Sequence, residues 1–231
     1  MVVAKTQRAL EILQSQFKDR SVKKEYTTLV HGHVRGESGS IAGAIGRIGK
    51  FGKFGVVSPP ADGGRESRTD FKIIDYYKFE NKQFAQLVYS SSDPSQPRKM
   101  LAGSQEVPLK KFSTSSNNNL LFSKFRINYL KRHAISYTLL SLYPKTGRTH
   151  QVRVHLKSIG HAVVSDSLYA PAKLLKFDRL WCPRLFLHAS RIEFKMPKEE
   201  RIRLANNVVF EAGMPYDLVK ACNYLELLPN G

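Results

Sequence analysis

The run Thr146-Gly147-Arg148-Thr149-His150-Gln151-Val152-Arg153 puts a glycine ahead of a helix, one arginine at the helix start and a second arginine one turn in. Gly147 lets a strand turn sharply into a helix, and the amides of a helix N-terminus favour an anion. Two guanidiniums at that point can grip a phosphate or a carboxylate through paired N–H donors. On residue types alone the segment is an anion-binding helix start. His150, Arg153 and Lys157 follow at i, i+3 and i+7 and share one helical face. His150, His155 and His161 raise the question of a metal site, but their i+5 and i+6 spacings do not stack as an i, i+4 pair does. No nearby thiolate completes a ligand set, so no metal is expected. The glycine-rich stretch 36–64 is not a phosphate-binding loop either: Gly43 counts forward to Ile48, and Lys50 is followed by Phe51 instead of a hydroxyl. It reads as a basic loop or short hairpin exposing Arg47, Lys50 and Lys53.

The chemistry suits the charge of the whole chain. Over 231 residues, 37 Lys and Arg stand against 19 Asp and Glu, a formal net charge of +18. An excess of this size favours a polyanion as partner, nucleic acid first and an anionic membrane second. Apolar residues make up 42%, a globular composition, and the length is enough for one sizeable core. Cys182 and Cys222 cannot build a disulfide framework and are expected to be reduced thiols of an intracellular protein. No apolar stretch approaches the roughly 20 residues of a membrane span, and the start of the chain has too short an apolar run for a signal peptide.

The elements that must position these groups can be read from periodicity. Residues 1–4 look like the end of a buried strand. Thr6 is a helix N-cap candidate, and Leu10, Leu13 and Phe17 make residues 7–18 an amphipathic helix. KKEYTTLVHG and TDFKIIDYYKF read as strands. Residues 90–119 are rich in Ser, Pro and Asn and belong to a polar insertion at about 78–132. Ile135, Tyr137 and Leu139 alternate along a strand that ends in a turn at Pro144–Gly147. A helix from about Thr149 to Ile159 follows, stopped by Gly160, with Val152, Leu156 and Ile159 as its buried stripe. RLFLHASRIEF is a further strand, and MPYDLVKACNYLELL a short helix with Pro215 near its start.

Beyond these separate readings, TGRTHQVRVHL…GHAVVSDSLY resembles the RluA-type pseudouridine synthase pattern, usually TGRTHQIRVHL…GHPIxGDxxYG. VVAKT with its helix and KKEYTTLVHG resemble the family's segment around its active-site tyrosine. GSIAGAIGR and GGRESRTDFKII resemble its PIGR turn and following strand, and RLFLHASRIEF and FEAGMPYDL its final strand and ending. The resemblance covers most of the chain apart from the insertion. Ala44 and Ala162 stand for two usual prolines, and Ser165 for a usual glycine. The family's HRLDxxTSG segment, which carries its catalytic aspartate, is absent from these residues, and the expectation is a single domain over 1–231 that is N-terminally incomplete.

The resemblance implies a mixed α/β (α+β) fold of the pseudouridine synthase type: a mainly antiparallel sheet, flanking helices and a central basic cleft. It implies isomerisation of uridine to pseudouridine in RNA, without metal or organic cofactor. The glycosidic bond breaks, the uracil rotates, and it rejoins the sugar through C5. By position Tyr26 matches the tyrosine that sits against the target base and Arg153 the arginine that pairs with the aspartate. Taken alone, Tyr26 reads as a core tyrosine and Arg153 as a surface ion-pair residue. Arg148 and His150 either contact RNA backbone or brace the helix. Lys23 and Lys24 read as a solvated or RNA-facing pair. The partner expected is an rRNA or tRNA, bound by a monomer with no membrane role. A catalytically silent RNA-binding or ribosome-associated relative is the alternative, and a basic protein-binding scaffold a third.

Overall fold

The computed structural model describes residues 2–48, 53–57, 63–79, 135–195 and 207–228. Thr6 is extended, and its side chain accepts a hydrogen bond from the Ala9 N–H at 3.2 Å, opening α1 (Gln7–Lys18). The helix closes with two backbone bonds, Ser21 N–H to Gln16 O and Arg20 N–H to Phe17 O. That closure turns the chain through a left-handed residue, usually glycine; here it is Arg20, at φ 59°. Leu13 anchors the helix against Val22, Ile192 and Phe194. Leu10 and Phe17 remain 39% and 46% exposed, so the packed stripe is narrower than the periodicity predicts. Residues 2–4 pair with no strand among the described residues, and Val2 and Val3 are exposed rather than buried.

The strands are β1 (Lys23–His31), β2 (Ser38–Ile48), β3 (Lys53–Val57), β4 (Arg65–Phe79), β5 (Ile135–Pro144), β6 (Leu187–Phe194), β7 (Val208–Glu211) and β8 (Glu226–Leu228). They form one sheet in the order β3-β2-β4-β5-β1-β6-β7, with β8 pairing β4. Every named pair is antiparallel. The described part of the glycine-rich stretch therefore supplies the antiparallel pair of β2 and β3. Its glycines serve close packing: a Cβ on Gly43 would lie 2.8 Å from Val56 Cγ1, and one on Gly55 2.7 Å from Ile48 Cδ1. Arg47 and Lys53 are exposed, and Lys50 lies outside the described residues.

Successive residues of a strand point to opposite faces, and the central strands bury both. Val30, Leu140 and Leu142 meet Val152 and Leu156 of α2 (Gln151–Ser158) on one face. Leu29, Tyr137 and Leu139 meet Phe177 of α3 (Ala172–Asp178) and Leu218 and Ala221 of α4 (Tyr216–Cys222) on the other. Gly160, at φ 89°, terminates α2 as expected, but Ile159 is 39% exposed and outside the buried stripe. The start of the expected insertion, Lys78 and Phe79, belongs to β4. The rest of it, 80–132, lies outside the described residues.

Candidate functional site

Helix α2 is pinned to the sheet by Gln151. Its Oε1 accepts from Thr146 Oγ1 at 2.6 Å and from the Arg148 N–H at 3.0 Å. Its Nε2 donates to Arg68 O and Thr69 Oγ1, both at 3.0 Å. Thr69 Oγ1 continues to His155 Nδ1 at 2.9 Å, and His155 Nε2 to Ser67 Oγ at 2.8 Å. Ser67 gives its own proton to Gly43 O at 2.6 Å, so Nε2 must carry the imidazole hydrogen and Nδ1 accept from Thr69. This neutral tautomer satisfies every atom of a fully buried ring.

Burial pushes the His155 pKa below its ordinary 6.5. A histidine whose folded pKa is depressed must gain a proton on unfolding in mild acid. Its contribution to stability is therefore intact above about pH 6.5 and lost as pH falls from there toward the folded value. The loss approaches ~1.4 kcal/mol per pH unit for one proton. Thermal melting at pH 7, 6 and 5 is expected to show the decline, and His155→Gln, which keeps a donor but does not titrate, a flatter one. Equal slopes in the two proteins would remove His155 as the cause.

Arg153 projects from the first turn of α2 to Asp166. Nε donates to Oδ2 at 2.8 Å and Nη2 to Oδ1 at 2.7 Å. The same Oδ1 accepts the Leu168 and Tyr169 amides at 2.9 and 3.0 Å. The Asp166 side chain is 0% exposed and that of Arg153 13%. Burial alone would raise the Asp166 carboxyl; the Arg153 fork and the two amides outweigh it and hold the pKa below the usual carboxylate range. The same fork raises the Arg153 pKa against the opposing effect of its own burial. The guanidinium also lies 4.9 Å above the Tyr169 ring, a cation–π contact.

Tyr169 gathers the face formed by His150, Arg153 and Lys157. Its hydroxyl accepts the Phe54 N–H at 3.2 Å and meets His150 Nδ1 at 2.9 Å. His150 precedes α2 at φ 55° and makes no side-chain cap, so it braces the β2–β3 hairpin against the helix. Burial, then the charge of Arg153, lower its pKa, which suits a neutral Nδ1 acceptor. Ser165, in the place of a usual glycine, is held at φ 58°. Its Oγ donates to Cys182 O, and its N–H to Asp178 Oδ2 at 2.9 Å. Asp166, Tyr169 and Gln151 carry no role in the sequence reading. The signal for Asp166 was local: an aspartate that turns back on amides two and three residues ahead is a known turn former.

On the face that carries α2, the loop between β5 and α2 and the end of α1 enclose a cleft of about 380 Å³. Five cations line it: Lys18, Arg20, Lys24, Lys145 and Arg148. Lys24 Nζ would lie 3.6 Å from a Cβ on Gly147, and burial lowers its pKa. Arg148 is also tied to the protein, Nε to Glu66 O at 3.3 Å, and Lys145 pairs with Asp70 at 3.3 Å. Tyr26 lies two residues beyond Lys24 on the same strand face, opposite Leu142 and against the core under α2. Burial raises its phenol pKa. Lys23 points the other way, to Glu193 at 2.8 Å; the structure brings Lys24 and Arg148 to one cleft and leaves Lys23 out of it.

A family model described as RNA pseudouridylate synthase matches residues 1–158. The dual-specificity RNA pseudouridine synthase RluA of Vibrio vulnificus is 28% identical over 205 residues, 88% of this chain and 58% of that protein. The ribosomal large subunit pseudouridine synthase C of Buchnera aphidicola is 28% identical over 235 aligned positions, 99% of this chain and 52% of that protein. The chain thus spans little more than half the length of these curated relatives. Among solved structures, human RNA pseudouridylate synthase domain containing 1 is similar at a TM-score of 0.60 and 21% identity, covering 98% of this chain and 68% of that one. At that identity the likeness is one of fold.

Proposed function

The chain belongs to the RNA pseudouridylate synthase family, and from that premise we propose that it binds RNA and presents a uridine to Tyr26 and Arg153 for conversion to pseudouridine. The observation that carries the reading is that the matched residues include both side chains, on β1 and on the helix that packs over the same sheet face. The target uridine must leave its stack, and an aromatic ring is a platform for an extruded base. The raised pKa of Tyr26 keeps that ring neutral. Arg153 is a fixed cation with two of its five N–H donors used by Asp166, so donors remain for a second carboxylate. Arg148 and Lys24 supply phosphate contacts, and His150 braces the β2–β3 hairpin against the helix. The reaction is an isomerisation: the N1–C1′ bond breaks, a C5–C1′ bond forms, and the C5 hydrogen is released as N1 regains one. No co-reactant enters.

Asp166 does not replace the aspartate of the HRLD segment. Its two oxygens accept four hydrogen bonds inside the protein, which makes it a clamp on Arg153. The 231 residues contain no His-Arg-Leu-Asp run, and this favours a second reading of the polypeptide itself: it binds RNA without turnover. RNA carrying tritium at uridine C5 tests this directly. The 231-residue polypeptide is expected to release no tritium. Release would overturn the silent reading, and Tyr26→Ala and Arg153→Ala would then each be expected to lower the rate by more than about 100-fold.

A further inference from the structure

We infer that the end of α1 forms the second wall of the RNA site, with Lys18 and Arg20 holding phosphates of a single strand and Phe17 stacking one of its bases on the way to Tyr26. This rests on the RNA reading above and adds residues from a different part of the chain.

Three observations converge. The first is Arg20. It occupies the left-handed position that closes α1, at φ 59°, where glycine has no steric penalty and arginine does. A residue held in a sparsely populated backbone region is a pointer to function, and this arginine lines the cleft. The second is Phe17, a large apolar ring left 46% exposed on the wall of the same cleft. An aromatic face beside cations is the arrangement that binds single-stranded nucleic acid, with backbone on charge and bases on rings. The third is the sign of the lining: five cations and no carboxylate. Lys24 lines the cleft and shares a strand face with Tyr26, which lies about 6.6 Å further along at a strand's rise per residue. A strand gripped at the cleft is thereby led toward that ring.

The test uses a labelled uridine-rich single-stranded RNA, with the affinity of the 231-residue polypeptide followed by anisotropy between 50 and 200 mM salt. Lys18→Ala and Arg20→Gly are each expected to reduce the slope of log K against log salt by about 0.7, the value for one phosphate on a single strand. Phe17→Ala is expected to weaken binding roughly 5- to 100-fold and leave the slope unchanged, because stacking releases no counterions. Arg20→Gly has a second readout: it relieves the left-handed position, so it melts no lower than the parent while binding more weakly. A purely structural Arg20 would not divide the two properties in that way. A parent protein with a steep slope that Lys18→Ala and Arg20→Gly both retain, and an affinity that Phe17→Ala leaves unchanged, would overturn the α1 wall and leave the RNA reading standing. A parent that binds with no salt dependence would overturn both.

Discussion

Asp166→Ala is expected to cost about 3–5 kcal/mol of folding stability, the usual cost of removing one partner of a buried ion pair. In a domain of this size that is a fall in Tm of roughly 10 °C. The carboxylate is fully enclosed, and its removal leaves three groups without an acceptor: the Arg153 guanidinium and the Leu168 and Tyr169 amides. Asp166→Asn keeps the shape and one acceptor and is expected to lose less. The effect should not add to that of Arg153→Met, because both break the same contact; the double variant is expected to be more stable than the sum of the single losses implies. The acid limb offers a further check. The Asp166 pKa is held below its ordinary 3.8, so its contribution is present above about that pH and disappears as pH falls through the folded value. Asp166→Ala should therefore melt with a shallower dependence below pH 4. A drop in Tm under about 2 °C would mean that the fork does not hold this corner of the molecule.

The affinity for single-stranded RNA is expected to fall roughly 100-fold between 50 and 200 mM salt. About five cations line the cleft, and each phosphate neutralised on a single strand contributes about −0.7 to the slope. The net charge of +18 sets the sign of the long-range field but not this number, because charges beyond a Debye length from the ligand are screened. A slope near zero would remove nucleic acid as the partner and favour a basic protein-binding scaffold. A slope far steeper than −3.5 would place phosphate contacts well beyond the cleft.

The elements nearest the chemistry were the most legible. Strand β1, helix α1 and the turn from β5 into α2 follow from alternation, a capping threonine and two glycines, all of which act within a few residues. What escaped was settled at long range. Periodicity showed which face of α1 is apolar but not how much of it would be covered, and Leu10 and Phe17 remain in the open. Gln151 could not be picked out, because its partners Arg68 and Thr69 lie more than 80 residues away. The cleft draws Lys18 and Arg20 from one end of the sequence and Lys145 and Arg148 from the middle. No spacing rule joins them until the sheet does. Lys23 and Lys24 are a different case: neighbours on a strand face opposite ways, and that alone separates a lysine bonded to Glu193 from one on the cleft floor.

Phe79 and Ile135 are cross-strand partners, so β4 and β5 end side by side, and the entropy of closing a connection between two such ends changes only slowly with its length. The ten residues from Ile135 to Pro144 put about 30 Å between that end of the sheet and the turn that holds Arg148. A change of length at that end is expected to leave the turn that holds Arg148 in place.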